Sequence, residues 1–217
     1  MKQMISRMAQ AILATPIFVI YANTTTLGEK EYVCPLNIVA EIRKSDACAS
    51  EGGGFDSSRK KGTVTARHRS LDLNAQEGEE AHAIHAGKVI VADPQWEDNM
   101  GGTVIIDHGN GDYSVYGHLK DISTKPGVEL KAGSKIGAVG YTGNAQCLKR
   151  NGIIAHLHLM VIRAGKSGLG TQGGPIAELK KWGTMWQKEL GADLTGPINP
   201  NLIMGDLKCW KGDTNKP

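Results

Sequence analysis

Aromatic residues are scarce in this chain: two phenylalanines, four tryptophans and five tyrosines among 217 residues, against 28 glycines. That balance favours many tight turns, hence β structure. A strong charge of either sign is also missing. The formal net charge is +3, and loss of the first 22 residues would take away Lys2 and Arg7 and no acid, leaving +1. Nucleic acid therefore gains no support as a partner. No C-x-x-C occurs, which excludes a zinc knuckle, and no lipobox-like run of small residues precedes Cys34. No H-E-x-x-H occurs either, so a helix-borne zinc site with a glutamate base is excluded. Internal repeats are lacking, which removes propellers and solenoids.

What is present begins with a segment of export type. Lys2 and Arg7 supply a positive start, and Ala9 to Ala22 forms an apolar run that is short for a membrane span and interrupted by Pro16. Residues 1–22 are therefore expected to be a signal peptide, or an uncleaved anchor, with no stable membrane insertion if it is cleaved. Four cysteines, Cys34, Cys48, Cys147 and Cys209, fit disulfides in an oxidising, periplasmic or extracellular compartment. Three connectivities are open; pairing Cys34 with Cys48 and Cys147 with Cys209 would close a local loop and tie the tail to the domain.

Residues 23–62 form an N-terminal extension, a short ordered piece followed by a flexible approach through Glu51-Gly52-Gly53-Gly54. From Thr63 short β-like runs alternate with turns. The strand candidates are Ala86 to Ala92, Thr103 to Asp107, Tyr113 to Tyr116, Lys135 to Gly140 and Ile153 to Ile162. Gly109, Gly111, Gly127 and Gly133 stand in the turns between them. Beyond a glycine-rich loop, Pro175 to Leu190 reads as the one helix, with Ile176, Leu179, Trp182, Met185, Trp186 and Leu190 at helical spacing. The expected fold is mainly β: an antiparallel sheet or sandwich-like domain over 63–165, with a C-terminal loop, helix and tail over 166–217 packed on it.

Seven histidines occur, and four of them fall in three interlocking contexts. In Ala155-His156-Leu157-His158-Leu159 the alternation of an extended strand projects both histidines to one face and both leucines to the other. His68 and Asp72 stand four apart; extended, they share a face, and turned, they can still converge on one ion. An imidazole and a carboxylate suit Zn²⁺ but need a third ligand, for which His158 is a candidate. Three ligands leave a fourth position for water, whose pKa falls to about 7 on the metal. His118, at a strand end in Tyr116-Gly117-His118-Leu119, and His156 are candidates to move protons beside it.

The order H-x-x-x-D, Y-G-H-L, H-x-H-L closely resembles the LytM/lysostaphin-type zinc metallopeptidases, which cut peptide bonds in bacterial peptidoglycan. His85 to Ile90, Gly102 to Gly111 and Val128 to Gly140 are similar to the strands and turns of that family, and the likeness runs from about Thr63 to Ile162. The resemblance implies one Zn²⁺ bound by His68, Asp72 and His158, with His118 and His156 as non-ligand catalytic histidines. It implies an exported endopeptidase acting on peptidoglycan stem or cross-bridge peptides. Two positions depart from the pattern: Ser70 stands where the family usually has glycine, and Arg67 is one residue closer to the histidine than usual. The long loop from Thr142 to Gly152, carrying Cys147, is also unusual.

A second reading is a non-catalytic peptidoglycan-binding or amidase-activating module on the same fold. Family members of that kind typically lack a metal residue, whereas all five positions are filled here. A lipoyl or biotinyl carrier would need a modifiable lysine at a hairpin tip, and no such motif is visible. His82, His85 and His108 read as structural. Tyr116 could pack or hydrogen-bond near the site, and Asn144 could line a groove.

Overall fold

The structure, a computed structural model, describes residues 32–49, 52–61, 64–96, 99–109, 111–163 and 196–212. Nine strands form one sheet: β4 (Leu71–Asn74), β5 (Glu80–His82), β6 (Gly87–Trp96), β7 (Gly101–Asp107), β8 (Asp112–Ile122), β9 (Glu129–Leu130), β10 (Lys135–Val139), β11 (His156–Arg163) and β12 (Gly196–Ile198). The main path runs β12-β11-β8-β7-β6-β9. β4 adds to β11, while β10 pairs with β8 and β5. Every pairing in this sheet is antiparallel. Outside it, β2 (Ser58–Lys61) and β3 (Val64–Arg67) make a hairpin, and β1 (Ala40–Glu41) runs parallel to β13 (Trp210–Lys211).

Alternation decides which side chains meet. Leu71, Leu73, Val104, Ile106, Tyr116, Leu157, Leu159 and Val161 fill the main core, while Ile105, Val115 and Ile162, one step out of phase, join Val91, Trp96 and Tyr113 in a second cluster. The central strands are therefore apolar on both faces, which is why the Val104-Ile105-Ile106 run is continuous. Each buried leucine or isoleucine contributes roughly 1.5–3 kcal/mol relative to exposure. The expected strands are all present, with that at Tyr113 to Tyr116 longer, over Asp112–Ile122. The helix expected over Pro175 to Leu190 lies outside the described residues.

Two expectations are corrected. The disulfides are Cys34–Cys209 and Cys48–Cys147, not Cys34 with Cys48 and Cys147 with Cys209. β1 lies beside β13, which brings Cys34 to the tail rather than to its sequence neighbour. The Gly52-Gly53-Gly54 stretch is buried rather than a flexible approach. The Asp72 N–H donates to the Gly53 carbonyl, the Arg43 N–H to the Asp72 carbonyl and the Gly53 N–H to the Arg43 carbonyl, so the N-terminal segment is stitched along β4. A Cβ on Gly53 would stand 2.4 Å from the Asp72 Cβ, so only glycine allows that approach.

Candidate metal centre

The β4–β11 ladder sets His158 opposite Asp72 and His156 opposite Asn74. Leu157 and Leu159 enter the core, so His156 and His158 are turned together to the other face. Asp72 Oδ1 lies 2.9 Å from His158 Nδ1, 3.1 Å from His68 Nε2 and 3.5 Å from His156 Nε2. His68 precedes β4, where its N–H donates to the Ser57 carbonyl. Its Nδ1–H donates to the Gly54 carbonyl at 3.1 Å, which leaves the Nε2 lone pair facing Asp72 and His158.

His118 arrives by another route. Gly102 pairs with Leu119 and Val104 with Tyr116, so two steps along β7 oppose three along β8. This bulge carries an extra residue, and His118 has a φ of +64°. Without it, His118 would alternate with Gly117 and face the core; with it, Tyr116 and Leu119 enter the core while His118 joins the other imidazoles. Its ring centroid lies 4.7 Å from that of His156 and 5.6 Å from that of His158. Its Nδ1–H donates to the Thr142 carbonyl at 3.0 Å, and its N–H to the Met100 carbonyl. Gly117, opposite His158, keeps the space open: a Cβ there would meet Met100 Cε at 2.6 Å and His158 Cβ at 3.3 Å.

All five groups are buried, His158 the most exposed at 7%. Burial alone would raise the Asp72 pKa, but the fields of His68 and His156 and the hydrogen bond from His158 hold it well below the usual carboxylate range. Burial, then the rings of His156 and His158, holds His118 well below the usual imidazole range. Burial likewise takes His156 down to about 4, against the opposing pull of Asp72. Asp72 is thus held as an anion and His118 and His156 as neutral rings, the ionisation states that suit a metal site.

Two triads of donor atoms lie within 4.8 Å of one another: His68, Asp72 and His158; and His118, His156 and His158. Only the first carries a negative charge to offset a dication, and its mixture of two imidazoles and one carboxylate fits zinc. Among the described residues, the buried atoms His158 Nε2 and His156 Nδ1 have no hydrogen-bond partner. The structure therefore brings together all five residues singled out in the sequence. His85 and His108 form a separate cluster, both donating from Nδ1 to the Ala86 carbonyl. His82 is buried beside Glu80. Tyr116 faces the core and its hydroxyl accepts from the Ile84 N–H, while Asn144 is exposed. The Thr142–Gly152 loop is compact: a 3₁₀ turn at Gly143–Ala145, then the short helix α1 (Gln146–Arg150), which Cys147 ties to Cys48.

Sequence reasoning missed Arg43. Its Nε and Nη2 donate to the Asp46 carboxylate at 2.7 and 2.6 Å, and Nη1 lies 3.4 Å from Asp72 Oδ2. It also missed the carbonyls of Gly54 and Thr142 that orient His68 and His118; no side-chain type marks a carbonyl.

Residues 66–168 match the family model for peptidase family M23. Over 77 residues the chain is 38% identical to the murein hydrolase activator EnvC of Escherichia coli (strain K12), a match covering 36% of this chain and 18% of that protein. The chain thus spans under a fifth of this curated relative. Among solved structures, a zinc-containing peptidase from Vibrio cholerae is 26% identical with a TM-score of 0.49, covering 61% of this chain and 37% of the other. The catalytic domain of lysostaphin from Staphylococcus simulans is 25% identical with a TM-score of 0.45, covering 59% of this chain and 90% of the other.

Proposed function

We propose, from the premise that the chain belongs to peptidase family M23 through residues 66–168, that the protein is an exported zinc-dependent endopeptidase hydrolysing peptide bonds in peptidoglycan stem or cross-bridge peptides. The observation that carries this reading is the convergence of His68 Nε2, Asp72 Oδ1 and His158 Nδ1 in a buried set with one carboxylate. These three residues would hold the ion, Asp72 offsetting part of its charge. A zinc ion held there would supply Lewis acidity to a peptide carbonyl and to water near neutral pH.

The chain's own part is proton traffic and positioning. With its Nδ1 proton committed to the Thr142 carbonyl, His118 offers the Nε2 lone pair to a proton leaving the attacking water. His156, held neutral, is the second imidazole beside the reacting carbonyl, suited to hydrogen-bond the developing oxyanion or hand a proton to the departing amine. Export is supported by the two disulfides, which fit an oxidising compartment, and by the apolar N-terminal run in the sequence. Among the described residues no helix is long and apolar enough to cross a membrane.

Mass spectrometry of muropeptides after digestion, with and without chelator, tests the activity and identifies the bond. New amine ends that appear only without chelator are expected; intact peptides from zinc-loaded protein would refute the reading. A second reading, an activator of another murein hydrolase, draws on the EnvC relative. It leaves unexplained why five buried metal-site and proton-transfer groups are all retained, and binding of peptidoglycan without release of amine ends would favour it.

A further inference from the structure

Ser70 is the one position inside the metal motif at which the chain departs from glycine, and its side chain is turned inward. It is fully buried. At the bend two residues before Asp72, just ahead of β4, it turns toward the same two histidines. Its Oγ lies 2.7 Å from His68 Nε2 and 3.4 Å from His158 Nδ1. Asp72 Oδ1 stands 3.1 and 2.9 Å from the same two nitrogens. Donors around a tetrahedral zinc with bonds of about 2.0–2.1 Å keep roughly 3.3 Å from one another. The hydroxyl oxygen thus meets the same two nitrogens as the carboxylate oxygen, nearer to His68 Nε2 and farther from His158 Nδ1.

We infer that the Ser70 hydroxyl is a fourth protein donor at this centre, in the position that three ligands would leave for water. This rests on the zinc reading above. With its Nδ1–H donating to the Gly54 carbonyl, His68 has one ring lone pair, on Nε2, to which the Ser70 O–H donates. That lone pair can serve the hydroxyl proton or the ion, not both. When the ion takes it, the Ser70 proton must turn away, and the oxygen it leaves behind faces the metal. Catalytic zinc sites keep one position open, whereas four protein donors close it. Ser70 would therefore restrain hydrolysis by filling the position that substrate or water would need.

The test uses the oxidised full chain loaded with Co²⁺, compared as wild type, Ser70→Ala, Ser70→Gly and Ser70→Cys. In Ser70→Cys, an intense near-ultraviolet thiolate-to-cobalt charge-transfer band, absent from the wild type, is expected. Ser70→Ala shifts the visible cobalt bands and weakens zinc binding on the order of tenfold in a chelator competition, and Ser70→Gly cleaves peptidoglycan faster than the wild type. A Ser70→Cys protein without that band, together with an unchanged Ser70→Ala cobalt spectrum, overturns the inference; should the thiol variant not fold, the Ser70→Ala spectrum decides alone. Wild-type protein that binds neither metal would instead sink the zinc reading itself. His68→Ala, expected to abolish the cobalt spectrum, separates the two failures.

Discussion

His158 and His118 sit side by side yet are placed by opposite means. The first occupies a regular rung, opposite Asp72 in one ladder and opposite Gly117 in the next. The second is carried there by an irregularity, the bulge that gives it a φ of +64°. A rung position is fixed by period-2 alternation and is overdetermined by Leu157 and Leu159 in the core. A bulge position is held by local hydrogen bonds, from His118 to the Met100 and Thr142 carbonyls. The rung histidine can be read from sequence spacing; the bulge histidine cannot, because alternation alone would send it to the wrong face.

The sharpest test of this contrast is metal content. His158→Ala should take zinc from about one per chain to near zero and reduce hydrolysis to background, whereas His118→Ala should keep the zinc and lose about 10²–10⁴-fold in kcat. Elemental analysis of both variants checks it; zinc lost from His118→Ala and kept in His68→Ala would move the ion to the other triad. Next in size is the brace behind Asp72. Arg43→Met removes the guanidinium that joins Asp46 to Asp72 Oδ2 and should weaken zinc binding about 10–100-fold, read by chelator competition on protein whose circular dichroism is unchanged.

Acid should expose the neutral imidazoles. His156 titrates near 4 in the fold and at about 6.5 unfolded, so between those values the unfolded chain binds more protons and stability falls as pH falls. The cost is about 3 kcal/mol across that window for the metal-free protein. His118, also depressed, adds in the same direction. Asp72, whose pKa lies below its ordinary value, contributes stability that is lost only at more acid pH. Thermal midpoints from pH 7 to pH 4 check this, and a His156→Gln protein should show a shallower decline. The smallest effect is the most specific to the comparison. His118→Gly should be about 1 kcal/mol more stable than His118→Ala, because only glycine is free of strain at positive φ. His156→Gly should be less stable than His156→Ala by about 0.5–1 kcal/mol, because glycine weakens a strand interior. Equal signs at the two positions would dissolve the distinction between rung and bulge.

How far the site was legible follows from the range of its contacts. His156 and His158 were readable because two residues of spacing and two leucines define a face. His68 and Asp72 were readable as a pair, and the family resemblance joined them to a partner 86 residues away. Arg43 was not readable: it meets Asp72 across 29 residues and a buried glycine turn, through an arginine with no motif around it. The cysteine pairing failed for a related reason. Proximity in sequence favours short loops, but the parallel pairing of β1 with β13 brings Cys34 to Cys209. Long strands with continuous apolar runs, such as β7 and β11, were visible; β5 and β9, with three and two residues, have no periodicity to detect.

The Cys34–Cys209 bond spans 175 residues, and every residue of the candidate metal centre lies between its two ends. Covalently, that stretch is a closed circle rather than a line. One cut anywhere between positions 34 and 209 opens the circle without releasing a fragment, and His68, Asp72, His118, His156 and His158 remain parts of one molecule. A nicked protein would run as two pieces on a reducing gel and as one on a non-reducing gel, with its donors still tethered to the same sheet.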